Sequence, residues 1–139
     1  MAAQPAHASA LRPPIHMLDR ESDLLGDLAL QMEQRHPVVS AMLLAEIERA
    51  EIHSQASLPS DAVTIGSEVE FFDLAHERTH HVRIVMPAEA DIAAGRISVL
   101  TPIGAGLIGL SEGQSIDWPD LEGRERRIRI VSVRQPPRG

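Results

Sequence analysis

The spacing of apolar residues divides the chain into two parts with different secondary structure. Between residues 19 and 50 apolar positions recur every three or four residues, which is the period of a helix that buries one face. The pattern predicts two helices of about sixteen residues joined by a tight turn, and therefore an antiparallel hairpin about 24 Å long. The apolar positions are Leu24, Leu25, Leu28 and Met32 in the first helix and Val39, Met42, Leu43, Ile47 and Ala50 in the second.

The residues around each predicted helix start support these two helices. Asp19 is of the residue type that caps a helix N-terminus, and Glu21 adds a negative charge near the positive end of the helix dipole. Pro37 suits the first turn of a helix and disfavours helical backbone immediately before it. A short strand is expected before the first helix, over residues 15–18.

From Val63 onward the apolar period changes to two, which is typical of strands with one buried face. Thr101 and Pro102 supply an N-cap and a first residue for one short helix, which Gly104, Gly106 and Gly109 allow to pack closely on the sheet. These elements predict an α+β fold. The expected strands cover residues 68–72, 81–86, 96–100, 115–118 and 126–133, with loops or turns at 74–79, around Gly113 and at 119–123.

The composition permits an aliphatic core but no aromatic-lined pocket. The 139 residues include one Trp, two Phe and no Tyr, whereas pockets that hold flat ligands or nucleobases normally have aromatic walls. The absence of cysteine excludes disulfides and thiolate metal sites. No run approaches the ~18 apolar residues of a membrane span. Residues 1–14 are expected to be a disordered tail, and we expect the protein to lie in the cytoplasm.

The charge pattern argues against direct binding to duplex nucleic acid. The net charge is −7, and all 13 basic residues are arginines. The basic cluster of the chain covers residues 124–129. In a strand, Arg127 and Arg129 project to one face, while Arg126, Ile128 and Ile130 project to the other. The first face is either a solvated surface or an electropositive strip that contacts an acidic partner.

One short segment matches a catalytic motif. Residues 76–80 read H-E-R-T-H, which fits the H-E-x-x-H pattern of zinc proteases. The pattern functions on a helix, where both imidazoles reach one Zn²⁺, but here it lies between two strand-like runs. We therefore assign no catalytic or metal-ligating residue. Adventitious metal binding by His76, His80 and His81 stays open as an alternative.

Residues 96–110 and 112–116 resemble the signature of the C-terminal domain of the Gre transcript-elongation factors. They read R-I-S-V-L-T-P-I-G-A-G-L-I-G-L and E-G-Q-S-I, and the family signature is approximately I-S-V-x-S-P-L-G-R-A-L-I-G-K-x-x-G-D-x-V. The likeness spans about residues 63–133. Near the N-terminus, Leu18-Asp19-Arg20-Glu21 and residues 44–50 resemble a branch of the family with a short hairpin.

The resemblance implies a domain organisation and a partner. It implies a short coiled-coil hairpin over residues 15–57 and an FKBP-like C-terminal domain over residues 58–135. It also implies binding to RNA polymerase beside its secondary channel, with the C-terminal domain as the anchor, so that any association with DNA is indirect. The contacts implied for the partner are Thr101, Pro102, Ile103 and Gly104. The charge pattern adds Arg127 and Arg129, which we call the basic strip.

The hairpin tip departs from the Gre pattern. Gre factors carry an Asp and a Glu at the tip of a long hairpin, where these acids help to hold the catalytic Mg²⁺ and promote transcript cleavage. Here residues 33–37 include Glu33 and Arg35, and the hairpin is short. We therefore expect a monomeric, non-enzymatic regulator, without a cofactor, that competes with Gre factors. A peptidyl-prolyl isomerase-like or other protein-binding module and a metal binder at the His76 loop are the alternatives.

Overall fold

The computed structural model describes residues 13–119 and 124–137. The predicted tail at residues 1–14 therefore lies almost wholly outside the described residues, and so does most of the turn expected at 119–123. In the described part of the chain, no helix has the length and apolar character needed to cross a membrane.

Two helices and two short strands form the N-terminal part. The strand β1 (His16–Leu18) pairs in parallel with β2 (Glu51–His53), so the segment before the first helix lies beside the segment after the second. A turn over residues 32–36 connects the helices, which pack against each other. The elements are β1 His16–Leu18, α1 Asp19–Gln31, α2 Pro37–Arg49 and β2 Glu51–His53.

Three details of the N-terminal part differ from the sequence-based expectation. Each helix has 13 residues, fewer than expected. Asp19 is the first helical residue, and Leu18 occupies the cap position without a side-chain cap bond, because β1 runs directly into α1. The strand β2 was not predicted, because these three residues become a strand only by pairing with β1, which is distant in the sequence. Its pairing with β1 begins at Glu51, directly after α2.

A five-stranded sheet and a short helix form the C-terminal part. Its strands are β3 Glu68–Asp73, β4 Arg78–Val85, β5 Arg96–Ser98, β6 Ser115–Pro119 and β7 Glu125–Arg134. Their order in the sheet is β5-β4-β3-β7-β6. The neighbouring strands are antiparallel except for the parallel pair β4 and β5. The short helix is α3 Pro102–Leu107, and single 3₁₀ turns lie at Pro87–Glu89 and Ile92–Ala94. The mixed helix and sheet content predicted from the sequence is confirmed.

The helices and the sheet share one hydrophobic core. Its members include Leu25 of α1, Leu43 of α2 and Leu107 of α3, each fully buried, together with Phe71 and Ile128 of the sheet. The helix α3 contacts α2 as well as β5 and β6. The core is almost entirely aliphatic, as the composition indicates. The position of α3 is thus fixed by contacts with both parts of the chain.

Candidate partner-binding site

Hydrogen bonds hold the segment that leads into α3. The Thr101 hydroxyl accepts a hydrogen bond from the Gly104 N–H at 3.1 Å and donates one to the Ser98 carbonyl at 2.7 Å. The Ser98 hydroxyl accepts a bond from the Leu100 N–H at 2.9 Å. Pro102 occupies the first turn of the helix. The predicted cap is confirmed, and it fixes the backbone from Ser98 to Gly104 in one conformation.

Two glycines let α3 approach the strands more closely than any other residue would. A Cβ added to Gly104 would lie 2.1 Å from the Ser98 carbonyl oxygen, and one added to Gly106 would lie 2.9 Å from the Trp118 ring. Ser98 belongs to β5 and Trp118 to β6. Gly104 and Gly106 therefore serve close packing on the sheet, as predicted, whereas a Cβ on Gly109 would instead meet Ile15, which precedes β1.

The four residues implied as partner contacts differ in exposure. Thr101, Pro102 and Ile103 are half-buried, whereas Gly104 is buried. Gly104 accordingly offers no surface to a partner, and its role is to let α3 pack closely against β5. The surface that this segment presents to a partner consists of Thr101, Pro102 and Ile103, which we call the α3 entry.

The basic strip on β7 has partners within the protein. The Arg127 guanidinium donates two hydrogen bonds to the Asp117 carboxylate, at 2.6 and 2.9 Å. The Arg129 guanidinium carbon lies 5.5 Å from the centre of the Phe72 ring, in cation–π geometry. Both arginines are exposed. Because Asp117 already neutralises Arg127, the strip is less electropositive than its sequence indicates.

The α3 entry and the basic strip lie on opposite sides of the sheet. Ile128 and Ile130 are buried in the core cluster that contains Ala105 and Leu107 of α3. Arg127 alternates with these isoleucines along β7 and so projects away from α3. The structure does not bring the two groups of predicted contact residues onto one face.

The third arginine of the segment, Arg126, lies on the core side and pairs with a buried acid. Its guanidinium contacts the carboxylate of Asp73, which is fully buried and also bonds the His76 ring nitrogen at 3.0 Å. Burial by itself raises the pKa of Asp73, but the hydrogen bonds from Arg126 and His76 outweigh it and lower the pKa to about 2. Asp73 therefore stays charged at neutral pH and fixes the β3–β4 turn.

The contact between Asp73 and His76 also gives a structural role to the segment that matches the zinc-protease pattern. His76 and Glu77 lie in the β3–β4 turn, and His80 lies on β4, where its ring stacks on Phe71 at a centroid distance of 5.0 Å. The pattern is not on a helix, as its position between two strand-like runs predicts. His76 serves as a structural partner of Asp73.

The two residues named for the hairpin tip lie in the turn between the helices. Glu33 and Arg35 are both exposed there. At ~1.5 Å per residue, helices of this length extend about 20 Å. The turn therefore presents one carboxylate and one guanidinium at the end of a short pair of helices.

The comparisons with known proteins agree on one family. The family model described as transcription elongation factor, GreA/GreB, C-terminal, matches residues 58–135. A regulator of nucleoside diphosphate kinase from Escherichia coli K12 is 29% identical over 126 residues, which cover 91% of this chain and 93% of that protein. GreA from Acidiphilium cryptum is 33% identical over 132 residues, covering 88% of this chain and 83% of that protein.

The solved structures give the same result. A GreA/GreB transcription elongation factor from Nitrosomonas europaea is 31% identical, with a TM-score of 0.69, and the match covers 88% of this chain and 99% of that chain. The family signature recognised at residues 96–116 forms β5, α3 and the start of β6 in this fold. The chain therefore belongs to the GreA/GreB family of transcription elongation factors.

Proposed function

We propose that the protein is a non-enzymatic transcription regulator that binds RNA polymerase near its secondary channel through the α3 entry. The observation that carries this proposal is the family signature, which folds into a capped and tightly packed segment exposing Thr101, Pro102 and Ile103. A segment held in one conformation loses little entropy when a partner binds it. The proposal includes an FKBP-like domain over residues 58–135, a coiled-coil hairpin over residues 15–57, a monomeric state and cytoplasmic residence.

We further propose that the protein does not stimulate transcript cleavage and competes with the Gre factors that do. Carboxylates assist a metal-dependent reaction only when they reach the ion and add to its oxygen ligands. The turn between α1 and α2 provides Glu33 but places Arg35 two residues away, and its helices are about 20 Å long. This arrangement favours binding near the secondary channel without stimulation of transcript cleavage.

The Escherichia coli relative adds a second part to the proposal, since its name states regulation of nucleoside diphosphate kinase. We extend this regulation to the present chain through its action on transcription. Transcript levels and the specific activity of the kinase, measured in cells with and without the protein, test this part separately. Reduced activity of purified kinase on direct addition of the protein would contradict the transcriptional route.

A stalled elongation complex with a backtracked transcript tests the main proposal. Cleavage is measured with this protein, with a Gre factor, and with both. We expect no cleavage with this protein alone and inhibition of the Gre factor in the mixture. Cleavage by this protein alone would contradict the non-enzymatic role, and undiminished Gre activity at saturating concentration would contradict the shared site.

The matched variants P102D and A93D locate the contact. Pro102 is half-buried at the α3 entry, and Ala93 is exposed in a 3₁₀ turn of the same domain. Both variants add one negative charge to the domain. We expect P102D to weaken competition and A93D to retain it, with circular dichroism confirming that both are folded. Equal competition by the two variants would exclude the α3 entry as the contact.

A further inference from the structure

Two short strands bring three metal-ligating side chains together at the base of the helices. In the parallel pair of β1 and β2, His16 lies opposite Glu51, and Leu18 lies opposite His53. Residues two apart on a strand project to the same side, so His16, Glu51 and His53 share one face. Their ligand atoms all lie within 4.8 Å of one another. Among residues 13–119 and 124–137, these three are the His, Cys, Asp or Glu side chains that come this close together as a group of three or more.

The distances within the group suit a small ion. His16 Nδ1 lies 2.9 Å from His53 Nε2. Glu51 presents one carboxylate oxygen to each imidazole, at 3.6 Å from His16 Nδ1 and 3.8 Å from His53 Nε2. Two ligands of a tetrahedral zinc ion, each about 2.0–2.1 Å from the metal, are roughly 3.4 Å apart. The observed separations lie on both sides of this value, so shifts of up to about half an ångström admit the ion.

A hydrogen-bond chain behind His53 supports the form of the imidazole that binds metals. His53 Nδ1 lies 3.1 Å from the Ser57 hydroxyl, which donates to the Ser54 carbonyl at 3.4 Å. When the Ser57 hydroxyl donates to the Ser54 carbonyl, its oxygen can accept a hydrogen from His53 Nδ1, which is the tautomer that leaves Nε2 able to bind a metal. The lone pair of the ring then lies on Nε2, which accepts a hydrogen from His16 Nδ1 at 2.9 Å. An ion that binds between the two rings takes the place of this hydrogen, which moves to His16 Nε2. Metal-bound histidines generally have such a partner on the second ring nitrogen.

The exposure of the three side chains and the types of their ligand atoms limit which ions the group can bind. The side chains of His16 and His53 are 22% and 13% exposed, whereas that of Glu51 is 65% exposed. The two imidazoles are thus partly enclosed, and the carboxylate is largely exposed to solvent. Two imidazoles and a carboxylate suit Zn²⁺ and related transition metals, whereas Ca²⁺ and Mg²⁺ prefer oxygen ligands throughout.

We propose that His16, Glu51 and His53 form a binding site for a divalent transition-metal ion, with Zn²⁺ as its representative. The three residues supply three ligands and leave a fourth position for water. The bound ion joins the strand before α1 to the strand after α2 and so fastens the two ends of the helical part to each other. The proposal rests on this geometry alone and is independent of the proposed binding to RNA polymerase.

Calorimetric titration of the untagged full chain with zinc chloride, after treatment with EDTA, tests the site. We expect one ion per chain and a rise in melting temperature with zinc, because a ligand that binds the folded state stabilises it. H16A and H53A should each weaken binding by at least the 10–100-fold typical of losing an outer-shell partner. S57A, which removes the partner of His53 Nδ1, should weaken it by about 10-fold.

Two further variants distinguish this site from zinc binding elsewhere on the chain. E51Q changes an exposed side chain, so it should fold normally and still bind zinc more weakly, since it loses the negative charge. H76A/H80A removes two histidines of the H-E-x-x-H segment and should keep the wild-type affinity. No binding by the wild-type chain, unchanged binding by folded H16A and E51Q, or loss of binding only in H76A/H80A would each overturn the proposal.

Discussion

At the scale of single residues, glycine has opposite roles at two helical positions. Gly26 lies within α1, and a Cβ built there meets no heavy atom within 4 Å. A Cβ at Gly104 would lie 2.1 Å from the Ser98 carbonyl oxygen and 2.8 Å from the Val99 Cα, both of which are backbone atoms. Gly26 is therefore replaceable, whereas Gly104 is required for α3 to reach β5.

The substitutions G26A and G104A are expected to change stability in opposite directions. G26A should raise the free energy of unfolding by about 0.5–1 kcal/mol, because alanine loses less backbone entropy in a helix. G104A should lower it by about 1–3 kcal/mol, because the strand backbone must shift. Urea denaturation measures both. A G104A chain as stable as the wild type would contradict the close approach of α3.

The cap at Thr101 gives a second prediction at this scale. T101V removes the hydroxyl and both of its hydrogen bonds, to the Gly104 N–H and the Ser98 carbonyl. We expect a loss of about 1–2 kcal/mol in the free energy of unfolding. T101S is the matched control, since it keeps the hydroxyl, and should stay within about 0.5 kcal/mol of the wild type. A T101V chain as stable as T101S would contradict a contribution of the cap to stability.

At the scale of elements, one carboxyl group connects α1 to the C-terminal part. Glu21 Oε2 accepts a hydrogen bond from the Ile65 N–H at 3.1 Å, and Oε1 is buried without a hydrogen-bond partner among the described residues. Burial raises the pKa of Glu21 to about 7, although the Ile65 N–H and the charge of Arg20 oppose this. The carboxyl therefore keeps its proton in the folded protein over a range where it is ionised in the unfolded chain.

This pKa predicts a stability that falls as the pH rises. Between the usual carboxyl pKa of about 4.5 and about 7, the folded state binds more protons than the unfolded state, so the free energy of unfolding decreases with pH. Well above pH 7 this loss approaches about 3 kcal/mol. E21Q should remove this part of the pH dependence, whereas E33Q, at an exposed position, should not. Chemical denaturation at pH 5 and pH 8 measures it, and identical pH profiles for E21Q and E33Q would contradict the assignment.

At the scale of the whole molecule, the N-terminal part is built into the fold of the C-terminal part. Ile15 packs where a side chain on Gly109 would otherwise lie, and the His16 N–H donates a hydrogen bond to the Gly109 carbonyl at 3.0 Å. Leu25 and Leu43 belong to the same core cluster as α3 and the sheet. Removal of the N-terminal part would therefore expose apolar surface on α3.

A fragment of residues 58–137 tests how far the C-terminal part is independent. We expect cooperative thermal unfolding, because the five-stranded sheet and the capped helix remain, but at a lower midpoint than the full chain, because the contacts of Leu25 and Leu43 are lost. Calorimetry measures both quantities. Unfolding without a cooperative transition would contradict the domain boundary at residue 58.

The sequence by itself determined the features that depend on neighbouring residues. The helical and strand periods, the Thr101 cap and the packing role of Gly104 arise within a few positions of the chain, where backbone geometry dictates which residue types fit. The family signature lies in the same local segment. The alternation of Arg127 with buried isoleucines was also predictable, because successive residues of a strand face opposite sides.

The tertiary structure decided the features that join distant positions. His16 and His53 are 37 positions apart, Glu21 and Ile65 are 44 apart, and Asp73 and Arg126 are 53 apart. Nothing in a single sequence indicates which side chains such pairings bring within a few ångströms. The parallel pairing of β1 with β2 brings His16 to His53, although the histidine motif in the sequence lies at His76. Strand register and burial, which are properties of the whole fold, therefore determine which polar side chains come together.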